Sequence, residues 1–294
     1  MQGRIIKGVA GSYTVSVKNS EVYECKALGI FRKNGISPLV GDIVELEQAD
    51  DVKKTAVIGK ILPRTCELIR PACANIDQVL IVFAVTEPEP NLNLLDRFLV
   101  MMKKQKVNVT ICFNKTDIAG EKDRRKLFEC YEASGVKVMF SSVLTESGTE
   151  EIKGVLKGKT TILAGPSGVG KSSLMNLLAP HANMETGVLS EKIKRGKQTT
   201  RHTELICLGE DTYLCDSPGF TSLYLDSIET EDLKNFYSEF EEFSGQCRFL
   251  TCNHLNEPEC AVKEAVKSGK ISMIRYENYK LLYEELKKQN SRWK

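Results

Sequence analysis

The chain is 294 residues long, 41% hydrophobic and 27% charged, with a net charge of only +2. That composition suits a globular protein with a sizeable core, and the balanced charge makes no bulk case for nucleic-acid binding. Ten cysteines, no leader-like apolar segment at the start and no apolar run beyond seven residues predict a cytoplasmic protein without a membrane span, its thiols free or metal-bound.

Residues 1–68 read as all-β. "YTVSV", "VYECKAL", "DIVELE" and "TAVIGKI" are short alternating runs separated by turn-rich stretches. Four or five such strands predict a small barrel of the oligonucleotide-binding (OB) type, with an SH3-like barrel giving much the same pattern.

From about residue 69 to 225 the rhythm changes to α/β. "QVLIVFAV", "NVTICF", "KVMFSS" and "TTILAG" alternate with helical stretches such as "LLDRFLVMMKKQ" and "KSSLMNLLA". This predicts a mostly parallel sheet covered on both faces. "TELICLG" and "DTYLCDSPGF" then follow as two strands joined by a tight turn. Residues 226–294 read as helical: Leu233, Phe236, Phe240 and Phe243 fall at helical spacing, "AVKEAVKSG" ends on a capping Gly269, and a long helix runs to the basic tail.

The α/β region carries phosphate chemistry. "GPSGVGKSS" fits G-x-x-x-x-G-K-S between a strand and a helix, with Gly165, Pro166, Ser167, Gly168, Val169, Gly170, Lys171, Ser172 and Ser173 in the loop. Glycines let backbone N–H groups turn toward phosphate oxygens, Lys171 reaches the β- and γ-phosphates, and the Ser172 hydroxyl suits Mg²⁺. "DSPG" supplies Asp216 for Mg²⁺ and the Gly219 N–H for the γ-phosphate. Between them, Thr199 or Thr200 completes the magnesium shell, with Thr200 preferred.

"FNKTD" supplies base selectivity. Asp117 accepts from the guanine N1–H and 2-amino groups, Asn114 meets the base edge, Lys115 lies along the ring, Thr116 completes the motif, and Ser141 and Ser142 form the small-residue loop beside it. Adenine offers no donors to Asp117. The parts stand in the order base motif, small loop, phosphate loop, first switch, D-x-x-G, a rotation of the usual GTPase order. Phe220 occupies the position after D-x-x-G where a glutamine would orient water, so intrinsic hydrolysis is expected to be slow and to need a partner or another group such as His202.

Cys247, Cys252, His254 and Cys260 form C-x₄-C-x-H-x₅-C, a complete tetrahedral ligand set for one structural Zn²⁺. The other seven cysteines fall mostly in apolar runs and read as small hydrophobes.

A β-barrel, a permuted GTPase and a Cys₃His region, carried by "NKTD", "GPSGVGKSS", "DSPGF" and "CRFLTCNHLNEPEC" in that order, resemble the ribosome small-subunit-dependent GTPase A (RsgA, YjeQ or YloQ) family over essentially the whole chain. The resemblance implies an OB barrel, GTP hydrolysis stimulated by the small ribosomal subunit, and late assembly work on 16S rRNA. It also carries zinc onto Cys247, Cys252, His254 and Cys260. A monomer with no membrane partner is expected. A histidine that some members carry shortly after D-x-x-G is missing from "FTSLYLDS". A different class of reading, an RNA-binding module with guanine nucleotide as a static ligand, is opposed by the intact Lys171, Ser172 and Asp216.

Overall fold

The computed structural model describes residues 1–17, 21–33, 35–68, 71–180, 203–209, 211–216, 225 and 228–291. The chain divides into two compact units, one of Met1–Val79, Glu150–Ala164 and Lys171–Phe220, the other of Leu80–Thr149, Gly165–Gly170 and Thr221–Lys294.

The first unit opens with five strands: β1 (Gln2–Val9), β2 (Ser12–Val17), β3 (Val22–Ala27), β4 (Ile43–Asp50) and β5 (Thr55–Ile61), with a short helix α1 (Gly29–Lys33) between β3 and β4. They are ordered β1-β2-β3-β5-β4, and β1 pairs β4 to close the barrel. The β3–β5 pair is parallel and its neighbours antiparallel, the arrangement of an OB barrel. Alternation puts Ile5, Val15, Tyr23, Val44 and Ile58 inside. Gly3 is required where β1 crosses β2, since a Cβ there would stand 2.6 Å from the Val15 side chain and 2.8 Å from the Ser16 carbonyl. Beyond the barrel, Arg64 forks onto the fully buried Asp42 carboxylate at 2.7 and 2.8 Å. The chain then turns through a small hairpin, β6 (Glu67–Leu68) and β7 (Cys73–Ala74).

The same unit holds all but the first residue of α4 (Thr149–Leu156), and β11 (Thr160–Ala164), α5 (Lys171–Leu178), β12 (Glu204–Gly209) and β13 (Thr212–Asp216). Strands β11 and β13 are parallel and β12 is antiparallel to β13. All of β11 is buried, as a strand covered on both faces must be.

β8 (Gln78–Ala84) carries the chain into the second unit, where β9 (Asn108–Asn114) and β10 (Lys137–Phe140) run parallel. Helix α2 (Leu92–Lys104) starts at Asn91, whose side chain accepts from the Leu94 N–H at 3.0 Å. Its apolar face buries Leu95, Phe98, Leu99 and Met102. Helix α3 (Glu121–Tyr131) buries only Leu127, Cys130 and Tyr131 and leaves the rest to solvent.

Over residues 229–243, where apolar residues keep helical spacing, the C-terminal part of this unit forms no continuous α-helix. It forms two 3₁₀ segments, Thr230–Phe236 and Ser238–Phe240, and a short α6 (Glu241–Ser244). Tyr237, extended at φ −103 and ψ 94, breaks the helix. Its fully buried ring stacks on Phe240 at 5.2 Å, so the break delivers an aromatic to the core that a continuous helix would have turned elsewhere. Helices α7 (Ala261–Lys267) and α8 (Met273–Ser291) complete the unit, and Gly269 takes the left-handed conformation (φ +76) just past α7. Among the described residues, no helix is long and apolar enough to cross a membrane.

Candidate functional site

In the second unit the guanine-type motif lies where β9 ends. Asn114 is the last residue of that strand and is 1% exposed. Its amide donates to the Val169 carbonyl at 2.9 Å, and its oxygen accepts from the Ser141 hydroxyl at 3.1 Å. Each end of the carboxamide thus makes one bond within the protein, tying the base motif to the glycine loop, and a second amide N–H remains to meet a base edge. Behind Ser141, the Cys112 sulfur sits 3.2 Å from the hydroxyl.

Lys115 takes the left-handed conformation (φ +65), and its ammonium donates to the Glu87 carbonyl at 2.7 Å. Thr116 opens a single 3₁₀ turn, Thr116–Ile118, and its N–H donates to the Ser141 carbonyl at 3.1 Å. Asp117 is exposed and is oriented by a hydrogen bond from the buried Ser142 hydroxyl. Ser142 in turn accepts from the Thr145 N–H at 3.2 Å, so its hydroxyl hydrogen is directed at the carboxylate. The chemistry of this corner is that of a rigid acceptor facing solvent, which suits a ring presenting two adjacent N–H groups.

The glycine loop owes its shape to backbone that only glycine tolerates. Gly165 is at φ +136, and a Cβ there would lie 2.1 Å from the Val82 carbonyl oxygen. Gly170 is at φ +95, and its Cβ would meet the Asn114 amide at 2.4 Å. Val169 is buried while Ser167 and Gly168 are exposed, so the loop is anchored by one side chain with its tip at the surface. Pro166 also lies in this turn. A glycine-rich turn of this kind can present backbone N–H groups to phosphate.

In the first unit, Lys171, Ser172 and Ser173 make the first turn of α5 and are partly buried, with Leu174 and Met175 fixing the helix to its core. Asp216 closes β13 in register with Leu163 of β11. Thr200, Gly219, Phe220 and the alternatives Thr199 and His202 lie outside the described residues.

The second unit also holds the Cys₃His cluster. The ligand atoms of Cys247, Cys252, His254 and Cys260 all lie within 4.8 Å of one another. Cys247 Sγ is 3.8 Å from Cys260 Sγ and 3.6 Å from His254 Nδ1, which is 3.4 Å from Cys260 Sγ. A tetrahedral ion with Zn–S bonds of about 2.3 Å needs S···S edges of about 3.8 Å, which the Cys247–Cys260 pair meets, and the four ligand atoms stand close enough together to converge on one ion. His254 Nε2 faces the Ser244 hydroxyl at 3.3 Å, leaving Nδ1 for the metal. Burial, with the charge of Lys234, lowers the His254 pKa to about 4, so the imidazole is neutral and free to ligate. The loop around it is held by Tyr276 and Tyr279, whose hydroxyls donate to the His254 and Asn253 carbonyls at 2.6 Å each. The Glu257 carboxylate accepts from the Asn253 and Leu255 N–H groups at 2.7 Å. These supporting residues carry no sequence signal of their own: a tyrosine in a helix reads as core.

The chain also matches known proteins along its length. The model of the RsgA GTPase family matches residues 61–226, and that of the RsgA N-terminal domain matches residues 2–58. The small ribosomal subunit biogenesis GTPase RsgA of Agathobacter rectalis is 53% identical over 98% of both chains, and that of Alkaliphilus metalliredigens 49% identical over 98% of both. Among solved structures, YjeQ from Thermotoga maritima aligns with TM-score 0.81 at 37% identity over 97% of this chain and 98% of that one. YloQ, a circularly permuted GTPase, aligns with TM-score 0.80 at 37% identity over 98% and 95%. With both family models and full-length relatives in agreement, the chain belongs to the RsgA family of GTPases, with its guanine motif set ahead of its phosphate loop.

Proposed function

We propose that the chain hydrolyses GTP to GDP and phosphate in late maturation of the small ribosomal subunit, binding the subunit and its 16S rRNA in the GTP state and leaving after subunit-stimulated hydrolysis. The observation that carries this reading is the 53% identity, end to end, to a relative named for that work. The guanine corner supports it: Asn114 and Ser141 fix the motif to the glycine loop, and Ser142 aims Asp117 outward.

In this reading Asp117 selects guanine, Lys115 flanks the ring, and the Gly165–Gly170 backbone cradles the phosphates with Lys171. Ser172, Thr200 and Asp216 supply oxygen donors of the kind Mg²⁺ prefers. Held there, Mg²⁺ would supply neutralisation of the phosphate charge. Gly219 offers its N–H to the γ-phosphate, while Phe220 leaves the orientation of water to the subunit or another group. Zinc at Cys247, Cys252, His254 and Cys260 is structural, because four protein ligands leave no position open. The three regions, 1–68, 69–225 and 226–294, divide the labour: the barrel and the C-terminal region dock on RNA and the middle one holds nucleotide. Such work belongs in the cytoplasm.

The test is co-sedimentation with small subunits in GDP and in a non-hydrolysable GTP analogue, paired with single-turnover hydrolysis. Retention only with the analogue, and faster turnover with subunits, is the expected result. Equal retention in both states defeats the switch, and no stimulated turnover reduces the nucleotide to a static ligand.

A further inference from the structure

The unit that contains the guanine motif and the glycine loop also contains the entire C-terminal region, Thr221–Lys294. What joins them is unusual in kind. Asp96 on α2 is fully buried, and Arg275 on α8 and Glu239 on the second 3₁₀ segment are 3% and 6% exposed. The Arg275 guanidinium donates to Asp96 at 2.5 Å and to the two Glu239 oxygens at 2.7 and 3.1 Å. Asn278, one turn along α8, donates to the other Asp96 oxygen at 2.8 Å, and the Tyr131 hydroxyl at the end of α3 donates to the first at 3.1 Å. The guanidinium also lies 4.6 Å from the Tyr237 ring centre and 5.3 Å from that of Tyr131. Closer to solvent, Arg97 of α2 forks onto Glu285 of α8.

A buried ionic cluster is a poor way to gain stability, since apolar residues of similar volume do as well. What it provides is register: the planar fork meets both carboxylates in a single alignment of α8 on α2. The near end of α2 is what makes this matter. The helix is entered through a loop in which the Glu87 carbonyl receives the Lys115 ammonium, and Val85 N–H donates to the Asn114 carbonyl at 2.9 Å. Pro88 of that loop would touch a side chain placed on Gly168 at 3.9 Å. One rigid helix therefore connects Arg275 to the backbone on which the base motif and the phosphate loop rest.

We infer that Arg275 is a positioning residue for guanine-nucleotide binding: by locking α8 to α2 it makes the Cys₃His region and the guanine motif tighten or loosen together. The inference rests on the nucleotide reading above. Because coupling between sites is reciprocal, nucleotide should firm α8 as much as the lock firms the nucleotide site.

The experiment uses the full chain and R275M, which removes the fork at similar volume, with N278A and E285Q as milder variants that preserve Arg275. Release of a fluorescent GDP analogue is followed by chase, and hydrogen exchange of α8 is measured with and without GDP. We expect R275M to speed release about fivefold or more, N278A and E285Q less in the same direction, with one zinc per chain retained. In the wild type GDP slows exchange in α8, and R275M abolishes that effect, a response that general loosening of the helix does not produce. Should R275M fail to fold, the milder pair decides: faster exchange in α8 with unchanged release overturns the inference while the nucleotide reading stands. A wild-type chain that does not bind the analogue at all overturns both.

Discussion

The Asn114 amide and the Val169 carbonyl, 55 residues apart in sequence, meet at 2.9 Å and join the base motif to the phosphate loop. The bond is buried, and the same carboxamide accepts from Ser141. Replacing Asn114 with alanine strands a carbonyl and a hydroxyl, each such orphan costing about 1–3 kcal/mol. We expect N114A to weaken GDP binding roughly ten- to a hundredfold with the fold intact. Titration with a fluorescent GDP analogue, beside a thermal melt, checks this; unchanged affinity would show that the loop holds its shape without the bond.

Asp117 sets a different test, because it alters preference rather than affinity alone. Its carboxylate, oriented by Ser142, only accepts. In D117N one oxygen becomes a donor, which no longer matches the guanine 2-amino group but does match the carbonyl that xanthine carries there. GTP binding should fall by about two orders of magnitude or more while xanthosine nucleotide binding rises. Competition between the two triphosphates measures it, and a uniform loss for both would remove Asp117 from the base-reading role.

Much of this was legible in the sequence, for identifiable reasons. The strand β8, "QVLIVFA", is wholly buried and reads directly as a covered strand. The glycine loop is legible because Gly165 and Gly170 occupy backbone that other residues cannot, so composition and shape coincide. The first barrel strand is harder to read: Gly3 and Gly8 interrupt Gln2–Val9, and glycine lowers strand propensity while here relieving a close approach to β2. The region 229–243 misled because Leu233, Phe236, Phe240 and Phe243 keep helical spacing, while packing around Tyr237 overrode the local preference. The Arg275 cluster was invisible, since Asp96 and Arg275 are 179 residues apart and each looks like a solvent-facing charge on a helix.

Metal removal addresses the Cys₃His cluster. Because the ligand atoms of Cys247, Cys252, His254 and Cys260 lie within 4.8 Å of one another, one zinc per chain is expected by elemental analysis. C252S, or prolonged chelation, should release it and cost several kcal/mol, lowering the melting temperature by about 10 °C or more. The loss should concentrate in the C-terminal core of Leu233, Tyr237, Phe240 and Tyr279, visible as faster hydrogen exchange there. Full stability after chelation would mean that this core, not the metal, holds the region.

The Arg97–Glu285 pair makes stability depend on pH in a defined direction. The hydrogen bond from Arg97 holds the Glu285 carboxyl below its ordinary pKa of 4.5. A carboxyl whose folded pKa is lowered stabilises the fold above its unfolded value, and that contribution is lost as the pH falls through the folded value. The pair is part-exposed, with side chains 19% and 35% accessible, so solvent screening limits it to about 0.5–1 kcal/mol. E285Q should therefore be less stable than wild type by that amount at neutral pH. The gap should stay level down to about pH 5, close below the ordinary carboxylate range, and shrink in high salt. Denaturant melts of both proteins across that range measure it, and a gap that persists in full at low pH would assign the effect to packing of the side chain rather than to its charge.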